Sequence, residues 1–175
     1  MSDQGPGDPG GGAAPSSGVG APADLGIRFL ARLIDSILLG IAVSILLVPF
    51  VIGAMFDDVG SMGGLYGGFG AGAIISGVVA AAIYIGYYAF MESSRGQTVG
   101  KMLLGLQTQG PDGGNPSLEM AIKRNGWYVL GIIPFIGGLA ELAVVIYIAV
   151  TINNSPTHTG WHDEFAGGTR VIKIK

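Results

Sequence analysis

Residues 36–55 read SILLGIAVSILLVPFVIGAM, twenty residues without a charge. About 20 apolar residues span the hydrocarbon core of a bilayer. This run therefore sets the fold class: an integral membrane protein built from helices. Upstream, Leu25 to Asp35 is amphipathic rather than apolar, so the helix is expected to start near Leu25. Arg28, Arg32 and Asp35 then fall in its first turns, and Pro49 is expected to kink its far end. The composition agrees. Hydrophobic residues make up 49% and charged residues 12% of the 175, against about 25% charged in soluble domains. Mean hydropathy is +0.55. Lipid, rather than water, is the expected solvent.

Working outward, Phe56 to Gly68 reads as a loop, and a second apolar run covers Phe69 to Met91. In it Gly72, Ser76 and Ala80 recur every four residues, as do Ala73, Gly77 and Ala81. Small residues at this spacing admit a neighbouring helix closely. Tyr84, Tyr87, Tyr88 and Phe90 read as an interfacial aromatic belt. Residues 92–126 are polar. Leu103 to Gln109 is expected to form a short strand, Pro111 to Gly114 a turn, and Ser117 a helix cap. A third apolar region, Trp127 to Ile152, is interrupted by Pro134 to Gly138 and carries Glu141. The closing Arg170 to Lys175 alternates as a strand does. At the other end, residues 1–24 hold seven Gly, four Pro, three Asp and no Lys or Arg. Such a segment buries too little apolar surface to offset its ordering entropy. It reads as a disordered tail ahead of a single domain over 25–175, and not as a signal peptide.

The nine basic residues lie before the first span, between 91 and 126, and in the C-terminal tail. The positive-inside rule places the N-terminus and the 91–126 segment in the cytoplasm, with two spans between them. One span over 127–152 would send the basic tail outside and sink Glu141 into lipid, at roughly 2.5–3.5 kcal/mol. Two short helices, one from near Ser117 and one from Gly137 to Asn154, avoid both. The expected architecture is thus an all-α bundle of four transmembrane helices, alternatively three, with a short cytoplasmic β-pair that only four would allow.

Few residues offer chemistry. Arg28, Arg32 and Asp35 fall within about 60° on one helix face. They read either as snorkelling arginines with a helix-start carboxylate or as an ion or proton site. Glu141 is the second acidic candidate. His158, His162, Asp163 and Glu164 lack the spacing of a metal site, because Pro156 and Gly160 break any helix there. Gly96 to Lys101 fails as a phosphate loop: three residues rather than four separate its glycines, and Met102 follows the lysine. It reads as a tight turn. With no cysteine and no paired acids or nucleophile–base order, no enzyme, metal or cofactor is expected. A net charge of −3 argues against nucleic acid as a partner.

Three motifs, in order, resemble the RDD family of bacterial membrane proteins. They are the entry helix Arg28 to Asp35; Gly96, Thr98, Gly100 and Lys101, matching G-x-T-x-G-K; and the closing His162-Asp163 with Ala166, Gly167, Thr169 and Val171. Together they cover about residues 26–175. The chain has Ala-Gly-Gly-Thr where Ala-Gly-Thr is usual, which bears on the register of the last strand. By position the family's arginine corresponds best to Arg28, with Arg32 as rival, and its aspartates to Asp35 and Asp163. The resemblance implies a multi-pass plasma-membrane protein and, as suggested for some members, transport such as sodium/proton exchange. A transporter this small is expected to be a homo-oligomer, with Asp35 as its titrating group. The other reading is a scaffold or accessory subunit that binds a protein partner at its cytoplasmic face. In either case Arg28 or Arg32 and Asp35 are expected near Asp163.

Overall fold

The computed structural model describes residues 19–58, 64–133 and 136–175. Most of the expected tail, the middle of the first loop and the Pro134-Phe135 break lie outside them. The elements run α1 (Leu25–Asp58), α2 (Gly64–Arg95), α3 (Val99–Leu104), β1 (Leu106–Gln109), α4 (Leu118–Asn125), a 3-10 stretch (Gly126–Ile132), α5 (Gly137–Asn154), α6 (Trp161–Phe165) and β2 (Arg170–Lys173). Both long helices extend into the segment expected as a loop, since Phe56 to Asp58 and Gly64 to Gly68 are helical.

Among the described residues three helices are long and apolar enough to cross a membrane: Leu25–Pro49, Ile74–Arg95 and Gly137–Asn154. Their outer faces carry exposed Phe29, Ile37, Ile45, Val78, Leu139 and Ile146, as helices solvated by lipid do. The fourth expected helix takes a different form. The helix capped by Ser117, whose hydroxyl accepts from Met120 N, ends at Asn125, and a 3-10 stretch continues. Asn125 is pinned: its amide donates to Glu92 at 3.2 Å and its Oδ1 accepts from Arg32 at 2.8 Å. From there Tyr128 stacks between Tyr84 and Tyr88. Ile132 arrives beside Gly77, where a Cβ would meet its Cα at 2.9 Å. Gly77 is about 22 Å along α2 from Glu92 at 1.5 Å per residue. The 3-10 stretch therefore carries the chain back along α2, and α5 brings it down again. The Gly77 stripe is filled by this chain's own backbone.

The return brings the two strands together. β1 and β2 pair antiparallel, Leu106 with Lys173 through Gln109 with Arg170. Leu103 and Leu104 belong to α3 instead of the strand, because Thr98 caps that helix and Gly105 ends it at φ 65°. On the far edge of β2 the entry segment adds backbone bonds, Ala23 N to Val171 O at 2.9 Å and Lys173 N to Ala21 O at 2.9 Å. Ala23, Ala31, Leu106 and Val171 form the small apolar core beneath. The doubled glycine is absorbed in the turn before β2: Gly167 and Gly168 take φ of 101° and 90°, open to glycine and rare for other residues.

Candidate functional site

The ionisable residues of the bundle collect at the end that carries the β-pair. Asp35, on α1, is 1% exposed. Its Oδ1 accepts from Tyr87 Oη at 2.8 Å and Gly100 N at 2.7 Å, and its Oδ2 from Thr98 Oγ1 at 2.5 Å. A carboxylate there faces the unpaired N–H groups that open α3, the end a helix offers to negative charge. The glycine-threonine-lysine segment is thus an Asp35 receptor. Gly96 turns the chain at φ 68°. Thr98 both caps α3 and bonds Asp35. Gly100 lies so close to Ala31 O that a side chain would collide with it. Lys101 turns back to Glu92 at 2.5 Å and Thr108 Oγ1 at 2.6 Å. Burial lowers the Lys101 ammonium to about 8 against the pull of Glu92.

Asp163 gathers the other charges. It meets Arg28 Nη2 at 2.6 Å and Arg124 Nη2 at 3.0 Å. It also accepts from Gly160 N at 3.0 Å and Thr169 Oγ1 at 3.1 Å. Arg28 donates further to His158 O. Burial alone would raise the Asp163 carboxyl. Arg124 and Arg28 overcome it and hold the group below the usual carboxylate range. His162, beside it, is buried, and burial pushes its imidazole down to about 3, so it is neutral. Glu92 joins the halves: besides Lys101 and Asn125 it lies 4.0 Å from Arg124 Nε.

The expected placement is met for Arg28, which reaches Asp163. Asp35 shares the helix face but is bonded to α3 and Tyr87. Snorkelling is excluded for Arg28, which is 8% exposed. Arg32 lies with its guanidinium carbon 3.7 Å from the Tyr88 ring centroid. The tyrosines are no interfacial belt: Tyr88 is fully buried, and only Phe90, 68% exposed, faces outward. They turn inward because Asp35, Arg32 and Tyr128 give them polar and aromatic partners. Sequence reasoning missed Glu92, Arg124 and Asn125. The available signal was Glu92 one turn after Tyr88, at the end of an apolar run. His162 and Asp163 serve the network described above.

Glu141 stands apart, near the opposite end of α5. Its carboxylate lies against Gly131 and lines a cavity of about 470 Å³ with Ser36, Gly77, Tyr84, Trp127 and Tyr128. A second cavity, of about 110 Å³, borders the charge network and is lined by Arg32, Asp35, Lys101, Arg124 and Trp127. Trp127 and Val145 line both.

Apolar helices returning to a shared, charge-stapled end define a multi-pass, all-α membrane protein. The RDD family model matches residues 22–167, and the chain belongs to the RDD family. That match takes in α1 with Arg28 and Asp35, the α3 turn and Asp163, and it ends at the doubled glycine. No curated protein matches the chain, and no solved structure does.

Proposed function

We propose that the protein is a plasma-membrane transporter that exchanges a small cation for protons, with Glu141 as the proton-binding acid. The observation that carries this reading is the Glu141 carboxylate on the 470 Å³ cavity between α1, α2, the 3-10 stretch and α5. An ionisable group facing an intramembrane cavity is the usual sign of an ion or proton path. Asp35, the first candidate by sequence, is the weaker choice, because both its oxygens already accept hydrogen bonds from α3 and Tyr87. It serves as the anchor of the α3 turn. The N-terminus, the β-pair and the charge network lie on the cytoplasmic side in this reading, supported by the basic residues gathered there.

The test is proton movement in reconstituted vesicles after a sodium or potassium pulse. Wild-type protein should acidify or alkalinise the lumen in step with the cation, and Glu141→Gln should abolish the signal. Undiminished flux in Glu141→Gln would remove Glu141 from the mechanism. Absence of flux in the wild type, with a stoichiometric protein co-purifying from native membranes, would favour the accessory-subunit reading. A cysteine appended after Lys175 in this cysteine-free chain should resist an impermeant maleimide in intact cells; labelling would overturn the orientation.

A further inference from the structure

The charge network is uneven. Arg28, Arg32, Lys101 and Arg124 bring four positive charges, whereas Asp35, Glu92 and Asp163 bring three negative ones. Asp163 and Glu92 are fully buried, Asp35 is 1% exposed, and Arg28, Lys101 and Arg124 are buried while Arg32 is part-exposed, so most of the positive charge is held away from water. Uncompensated buried charge is costly. Its location is marked by unsatisfied donors. Arg124 Nη1 is enclosed and has no hydrogen-bond partner among the described residues, and neither has Trp127 Nε1. Arg32 donates one hydrogen bond there, to Asn125, of the five a guanidinium offers.

Arg124, Arg32 and Trp127 all line the 110 Å³ cavity. That volume holds roughly three waters at about 30 Å³ each, or one tetrahedral anion. Waters would satisfy the donors but leave the charge. Arg28, Lys101, Asp35 and His162 complete the polar end of the lining, and the remaining wall is apolar, with Phe29 from α1 and Val145, Ile148, Ala149 and Ile152 from α5. These helices are apolar enough to span a bilayer. The lining begins at Leu25, the first residue of α1, and reaches Ile152, near the end of α5. The cleft is thus a cationic floor at the end of the bundle beneath an apolar gap between two membrane helices.

We propose that this cleft holds an anionic phospholipid, its phosphate on Arg124 and Arg32 and an acyl chain in the gap between α1 and α5. Basic pockets between membrane helices suit such headgroups. A free inorganic anion would match the floor but not the apolar wall. The inference is independent of the transport reading, and its test involves no ion movement.

The full-length protein in non-ionic detergent would be titrated with phosphatidylglycerol, phosphatidylcholine or inorganic phosphate, and bound species counted by native mass spectrometry. Phosphatidylglycerol should be retained about ten-fold more strongly than phosphatidylcholine. Ala149→Phe fills the gap without touching the network; it should cut phosphatidylglycerol retention about ten-fold at an unchanged melting temperature. Arg124→Gln should abolish the preference, and Arg32→Gln, which spares the Asp163 pairs, should weaken it should Arg124→Gln fail to fold. Equal retention of the two lipids would overturn the proposal. So would wild-type retention by Ala149→Phe, and so would binding of phosphate that phosphatidylglycerol does not displace, which would assign the site to a free anion.

Discussion

Replacing Asp163 with Asn tests whether the network holds the fold together by charge. The substitution preserves shape, but Gly160 N bonds Oδ2 at 3.0 Å and Thr169 Oγ1 bonds Oδ1 at 3.1 Å, so the single amide oxygen keeps only one of these two hydrogen bonds. What it removes is the negative charge facing Arg28 at 2.6 Å and Arg124 at 3.0 Å. Four cations, all buried except the part-exposed Arg32, would then face two buried carboxylates. Breaking a buried ion pair from one side costs about 3–5 kcal/mol, because the partner is stranded without a counter-charge. With one of those hydrogen bonds retained and the other lost, the middle of that range, about 4 kcal/mol, is expected. Set against a typical stability of about 5–15 kcal/mol, that is a large fraction. The assay is equilibrium unfolding in detergent micelles followed by circular dichroism, for the wild type, Asp163→Asn, Arg28→Met and the pair together. The double variant removes both members of one pair. It should be more stable than the sum of the single losses by at least about 1 kcal/mol, since contacting residues do not act additively. A loss below about 1 kcal/mol for Asp163→Asn, or strict additivity in the cycle, would refute the view that charge pairing is the staple.

Two further perturbations follow from particular contacts. Gly100→Ala drives a methyl into the Ala31 carbonyl and towards Asp35; it should cost more than about 2 kcal/mol or prevent expression. Gly86→Ala, with nothing within 4 Å of the added carbon, should be neutral or stabilise by up to about 1 kcal/mol; equal losses would mean that backbone approach is not what Gly100 provides. His162 predicts an acid dependence. Its imidazole falls from 6.5 to about 3 on folding, so between those values the unfolded chain binds the proton and the folded one does not. Stability is therefore intact above 6.5 and lost as pH falls towards 3. Asp163 adds to this below 3.8, its usual value, because its folded carboxyl titrates lower still. Thermal melts from pH 7 to 4 should show the decline in the wild type and a flatter profile in His162→Gln; identical slopes would remove His162 as its source.

Much of the architecture was legible because lipid imposes simple rules. Uncharged runs of helix length marked α1 and α2, an apolar run broken only by Glu141 marked α5, and period-two alternation marked β2. The distribution of basic residues put the two strands at one end before any pairing was known. The α3 boundary was missed because Leu103 and Leu104 are as apolar as strand residues; Thr98, as a cap, was the deciding cue. The 3-10 stretch was illegible, since Trp127 to Ile133 is apolar throughout and has no periodicity to distinguish one helix type from another. The charge network was half legible. Arg28 and Asp35 share a face that local spacing reveals. Glu92, Arg124 and Asp163 lie 32 and 39 residues apart in succession, and only the packing of α4 on α2 and of α6 on α4 brings them together.

That packing separates two kinds of acid within one small bundle. Asp35, Glu92 and Asp163 are each bound by groups from other elements: α3 for Asp35, α3 and α4 for Glu92, α1 and α4 for Asp163. Protonating any of them would strand a buried cation or release a helix start, so each is tied to the integrity of the fold and poorly suited to cyclic proton exchange. Glu141 has no charged partner among the described residues and meets only the backbone of Gly131. It faces open volume beside glycine, and the element nearest it is the 3-10 stretch, whose hydrogen-bond geometry is poorer than that of an α-helix and which often marks a hinge. Trp127, at the root of that stretch, lines both the Glu141 cavity and the one at the charged floor. The stapled end and the open volume beside Glu141 are thus complementary in the proposed exchange: the network would fix the helix ends, and Glu141, on the cavity, would be the acid left to titrate.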